Sequence, residues 1–81
     1  MSAAERSLEQ LIAEVLGVPI AKITEDAGPT RLRKWDSMRQ VEVIIAVERH
    51  FGVKFTAAEI VELSSVGKFR EALRAKSGGA G

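Results

Sequence analysis

The stretch "KWDSMRQVEVIIAVERHFGVKF", residues 34 to 55, decides the fold. Asp36 is a good N-cap, because its short carboxylate can accept a first-turn N–H, and Gly52 supplies the left-handed stop. The spacing therefore predicts one helix from Asp36 to about Phe51. At about 100° per residue, Val43, Ile44, Val47 and Phe51 share one side, the expected core face. Met38, Val41 and Ile45 fall on the opposite side. A small domain needs only one apolar face on such a helix. The second is either covered by the chain itself or is a docking surface rimmed by Arg39, Glu42, Glu48 and Arg49. Periodicity leaves both open.

Around this helix the chain reads as one small domain. With 81 residues it can build a single core but not an enclosed substrate cavity with its own catalytic scaffold, so an autonomous enzyme is not expected. Apolar residues make up 46% and charged residues 28%, a globular rather than a disordered balance. There is no cysteine, which excludes disulfides, thiolate metal sites and any thiol of the chain's own. The N-terminal stretch lacks the continuous apolar core of a signal peptide, and no segment approaches the roughly 20 apolar residues of a membrane span. A cytoplasmic protein without membrane attachment is predicted.

Three further helices follow from caps and spacing. Ser2 and Glu5 fit a capping box for a first helix in which Leu8, Leu11, Ile12 and Val15 fall at i, i+3, i+4 and i+7, with Gly17 and Pro19 ending it. Residues 17 to 35 form a long connection containing Gly28-Pro29, and a loop of that length in a small domain is expected to be functional. Thr56 with Glu59 gives a capping box for a short third helix over "AAEIVEL". Ser65 caps a fourth, with Val66, Phe69 and Leu73 on one face. The domain is predicted to span residues 1 to 76, and "SGGAG", residues 77 to 81, to form a flexible tail.

Ser37 lies in the first turn of the second helix, where free N–H groups and the positive end of the helix dipole favour an attached or bound phosphate. First-turn serines also merely assist capping. Nucleophilic catalysis by Ser37 is not expected: the sole histidine, His50, lies about 20 Å farther along the same helix at 1.5 Å per residue, whereas a catalytic serine and its base must be within hydrogen-bond reach. His50 is expected to face solvent near the helix dipole. Carboxylates occur singly, so no metal site and no catalytic residue are predicted. The basic cluster of Arg31, Arg33, Lys34 and Arg39 admits a nucleic-acid footprint, with Trp35 as its one stacking residue, or a solvated loop.

"DSM", "VEVIIAVERHFGVKF" and "AAEIVELSSVGKFREAL" together resemble the acyl carrier protein family. Its pattern is Asp-Ser-Leu, then Val-Glu-Leu, a run ending in Glu-x-x-Phe-Gly, and Thr/Ser-Val-Gly at the last helix; the match extends over about residues 5 to 75. The resemblance implies an all-α four-helix bundle with a long loop between helices 1 and 2 and a short third helix. It implies that Ser37, preceded by Asp36, receives 4′-phosphopantetheine from a separate phosphopantetheinyl transferase. The arm would supply the thiol that the chain lacks, holding acyl groups as thioesters.

Partners implied are that transferase, an acyl- or aminoacyl-loading ligase and acyl-transfer enzymes, meeting a monomeric, non-catalytic carrier over Met38, Arg39, Val41, Glu42, Ile45 and Glu48. Trp35 is placed near the arm, either packing on the bundle or touching cargo, and is similar to the Trp-Asp-Ser variant of stand-alone carriers in specialised pathways. Carriers of primary fatty acid synthesis in this family are strongly acidic, with an acid where Arg39 stands here and often where Arg49 and His50 stand. A specialised or secondary pathway is therefore expected. An aminoacyl or peptidyl carrier is the alternative within the class, and a small helical interaction or nucleic-acid-binding domain the alternative outside it.

Overall fold

A computed structural model of the chain describes residues 7 to 78. Its four helices are α1 (Leu8–Leu16), α2 (Ser37–Phe51), α3 (Ala57–Val61) and α4 (Val66–Gly78), with one 3₁₀ turn (Ile20–Lys22) between α1 and α2 and no strand among the described residues. This is the four-helix arrangement expected from the sequence. The Ser2–Glu5 capping box lies outside the described residues. The N-cap of α1 is Ser7, whose hydroxyl accepts the Gln10 N–H while the Gln10 side chain accepts the Ser7 N–H. Gly17 and Gly52 end α1 and α2 with φ of 70° and 66°, a conformation in which a Cβ would be strained. α4 continues through Gly78, two residues past the boundary at 76.

α1 buries Leu8, Leu11, Ile12 and Leu16; α2 buries Val43, Ile44 and Val47; α4 buries Val66, Phe69 and Leu73. These stripes meet because each follows a helical period, so one face of each helix can leave water together. Phe51 departs from the expected core face of α2: it is 37% exposed. It is the last residue before the Gly52 cap, where the helix has run past the core, and its ring stands edge-on to His50 at 4.9 Å. His50 is accordingly half-buried rather than fully facing solvent.

The long connection does more than span a gap. It sends Ile23, Ala27 and Trp35 into the core, and its backbone completes the start of α4. A helix leaves its first N–H groups without intrahelical acceptors. Here the Val66 N–H donates to the Ala27 carbonyl and the Gly67 N–H to the Glu25 carbonyl, both at 2.9 Å. Ser65 accepts the next two, with its hydroxyl from Lys68 at 3.2 Å and its carbonyl from Phe69 at 3.0 Å. Arg70 fastens the same corner, pairing with Glu9 of α1 and with Glu25 of the loop, the latter at 2.7 Å. The Glu25 hydrogen bond is the main reason its guanidinium holds its proton more tightly than usual.

This junction is close enough to exclude a side chain at Gly28, where a Cβ would lie 2.2 Å from the Ser64 carbonyl oxygen. Gly28→Ala is therefore expected to push the loop off α4 and destabilise the domain by roughly 2 to 3 kcal/mol, read from urea unfolding by circular dichroism. A change below about 0.5 kcal/mol, the level of an ordinary surface substitution, would show that the junction gives way easily.

Candidate functional site

Asp36 adopts extended backbone angles (φ −89°, ψ −174°), as an N-cap must. Its carboxylate accepts the Arg39 N–H and its carbonyl the Gln40 N–H, each at 2.9 Å. The two preceding N–H groups, those of Ser37 and Met38, have no acceptor within the helix. Ser37 is exposed at this end of a 15-residue helix, so its hydroxyl stands where the dipole and two backbone donors favour an anionic ester. The entrance thus fits a phosphate-linked group on Ser37.

Beneath the entrance, Trp35 is wholly buried. Its ring lies 6.3 Å from that of Phe69, which meets Phe55 edge-on at 6.1 Å. Its indole N–H donates to Gln40 Oε1 at 2.6 Å, and Gln40 Nε2 donates to the Leu63 carbonyl at 2.8 Å. Trp35 is therefore a packing anchor: one side chain, Gln40, ties the residue before the entrance to the segment between α3 and α4. The sequence reading missed Gln40. Its signal was a polar residue on the helical side of Val43 and Val47, where a buried amide must find partners.

The second apolar face of α2 is exposed: Met38 at 71%, Val41 at 56% and Ile45 at 47%, against complete burial of Val43 and Val47. Along its rim, Arg39 and Glu42 form an ion pair at 2.8 Å. Glu48 is half-buried and accepts the Phe55 N–H at 2.9 Å, tying the end of α2 to the start of α3. At the next corner Glu59 caps Thr56 and binds Lys76. The Lys76 hydrogen bond, followed by that from Thr56, holds the Glu59 carboxyl below the usual range. Asp26 is lowered likewise, chiefly by the Thr24 hydroxyl.

Among the described residues, no three His, Cys, Asp or Glu side chains are grouped to hold a metal, and no helix is long and apolar enough to cross a membrane. Two grooves of about 370 and 380 Å³ lie between α3 and α4, beside Leu63 and Ala72, and at the far end of α2, beside Phe51 and Leu73.

The family model described as "phosphopantetheine attachment site" matches residues 6 to 73. The chain is 30% identical over 74 residues to polyketide-8 synthase acyl carrier protein 2 of Streptomyces avermitilis, covering 91% of this chain and 85% of that protein. It is 35% identical over 60 residues to an acyl carrier protein of Acidothermus cellulolyticus, covering 74% and 71%. A third relative, an acyl carrier protein of Saccharopolyspora erythraea, is 33% identical over 64 residues, covering 79% and 67%. With an exposed helix entrance suited to a phosphate ester and no thiol of its own, the chain belongs to the acyl carrier protein family, non-catalytic proteins that carry acyl groups on a 4′-phosphopantetheine arm.

Proposed function

We propose that Ser37 is the residue that bears the 4′-phosphopantetheine group, that a phosphopantetheinyl transferase installs it there, and that the carrier serves a specialised or secondary pathway. The observation that carries the first part is the pairing of an exposed hydroxyl with two backbone N–H groups at the head of α2. The arm, once attached, supplies the thiol on which an acyl group is held. Asp36 keeps the turn in shape by accepting the Arg39 N–H, and Trp35 and Gln40 fix the chain just before it.

Met38, Arg39, Val41, Glu42, Ile45 and Glu48 make up the recognition face next to the arm. Loading ligases and acyl-transfer enzymes would dock there on a monomer in the cytoplasm. The specialised assignment is supported by Arg39, Arg49 and a net charge of +1, and by the relative named for a polyketide synthase. Nucleic-acid binding has less support: Trp35, its one candidate stacking residue, is buried, and Arg31 faces Asp26 at 3.5 Å.

Intact-protein mass spectrometry after incubation with coenzyme A and a broad-specificity transferase tests the attachment. A single phosphopantetheinyl addition is expected; none, with the transferase active on a control carrier, would refute it. Ile45→Glu tests the recognition face. Because Ile45 is 47% exposed, the variant should keep its helical circular dichroism with a stability change within about 0.5 kcal/mol, while acyl transfer to a partner falls by roughly tenfold or more. Loss of the fold would instead make Ile45 a core residue.

A further inference from the structure

The charge that the α2 face offers a partner differs from the charge its residues suggest one by one. Arg39 and Glu42 close on each other at 2.8 Å, so this pair presents little net charge. Glu48, the other acid of the face, is half-buried with its carboxylate on the Phe55 N–H. Arg49 lies one turn beyond Ile45 and about 20° around the helix from Met38. It is exposed and joins no ion pair among the described residues. Arg33 and Lys34, just before the entrance, are exposed and likewise join no ion pair among the described residues, and against the one exposed carboxylate beside them, that of Asp36, they leave this end with a net positive charge. The apolar stripe therefore lies between two cationic ends, while the exposed Glu62 lines the groove between α3 and α4 instead.

We propose that the α2 face docks a partner enzyme with an apolar pocket for Met38, Val41 and Ile45 and carboxylates at both ends of that pocket, one set toward Arg33 and Lys34 and the other toward Arg49. This rests on the reading of Ser37 as the attachment residue, because a partner seated on the stripe works beside that serine. A basic docking groove is the wrong polarity: it would bring like charges together at each end, which slows encounter and weakens binding. A protein partner fits better than a nucleic acid or an anionic bilayer. The centre of the face is aliphatic, its backbone donors are occupied within α2, and the exposed aromatic ring of Phe51 lies on the opposite side of the helix, away from the stripe, so none is available there to stack on a base or anchor in a headgroup layer.

The probe is a phosphopantetheinyl transferase whose carrier groove is lined by basic residues, used in its native form and in a form with two of those residues replaced by glutamate. Loading of the wild type, Lys34→Glu and Arg49→Glu is followed by intact mass at low and high salt. The acidic-groove form should load the wild type faster than the native form does, through KM. Each carrier variant should gain roughly tenfold with the native form and lose as much with the acidic one, and both effects should shrink in high salt. Lys34 precedes the helix, so its variant reads charge without disturbing α2.

Variants that load no differently with the two forms, or that lose with the native form, would overturn the proposed polarity while leaving Ser37 as the attachment residue. Wild type that neither form loads would refute the Ser37 reading and this inference with it. Cosedimentation of the wild type with vesicles of anionic phospholipid, or salt-sensitive binding to duplex DNA, abolished by the same two variants, would assign the cations to another partner and overturn the proposal.

Discussion

Ser37→Ala is expected to lose phosphopantetheine attachment completely, with no mass addition under conditions that convert the wild type fully. In the proposed attachment the Ser37 hydroxyl oxygen forms the phosphodiester, and alanine has nothing to put in its place. The loss should be purely chemical. The helix is capped by Asp36, whose carboxylate holds the Arg39 N–H at 2.9 Å whatever stands at position 37, and alanine is the best helix former. Stability should therefore change by about 1 kcal/mol or less. Residual single addition on the variant would move the attachment to another hydroxyl, and an unfolded variant would mean that Ser37 holds the turn together, against its exposure.

Trp35→Ala should have the largest effect on the fold. Trp35 is wholly buried and lies against Phe69, and removing a buried aromatic side chain costs about 3 to 5 kcal/mol. The variant also strands the Gln40 carbonyl oxygen, which now accepts the indole N–H at 2.6 Å. Native domains have only about 5 to 15 kcal/mol in total, so a large share of the stability should be lost and the urea midpoint should fall steeply, as read by circular dichroism. Trp35→Phe separates the two contributions: it keeps a ring in the core but removes the donor, and should cost roughly 1 to 3 kcal/mol. A Trp35→Ala variant as stable as wild type would remove Trp35 as the anchor of the entrance.

Local signals carried far in this chain. Asp36, Gly52, the Thr56–Glu59 box and Ser65 each act within four residues, and each marks a boundary that the structure retains. The exposed stripe of α2 was legible as a pattern, but its exposure was not, because whether another segment covers Met38, Val41 and Ile45 is decided by the whole fold. Phe51 fits the core period by angle yet lies too far along the axis to be buried, a distinction that a helical wheel discards. The contacts of Glu48 and Gln40 were not legible for a related reason. Their partners, the Phe55 N–H and the Leu63 carbonyl, are backbone groups outside α2, and nothing in a side chain's identity announces which backbone group it will meet.

The way the loop begins α4 has a consequence for how the protein can vary. Glu25 and Ala27 cap that helix with carbonyl oxygens, which every residue possesses, so this service does not depend on which side chains occupy those positions. What it does depend on is distance along the chain. A residue inserted between Thr24 and Gly28 would put the wrong oxygens opposite Val66 and Gly67 and displace the one glycine that can lie against Ser64. The capping itself is thus tolerant in spelling and strict in length, within the limits that the burial of Ala27 and the Glu25–Arg70 pair set on the side chains there. Drift there should appear as substitutions, with insertions accommodated elsewhere along the connection.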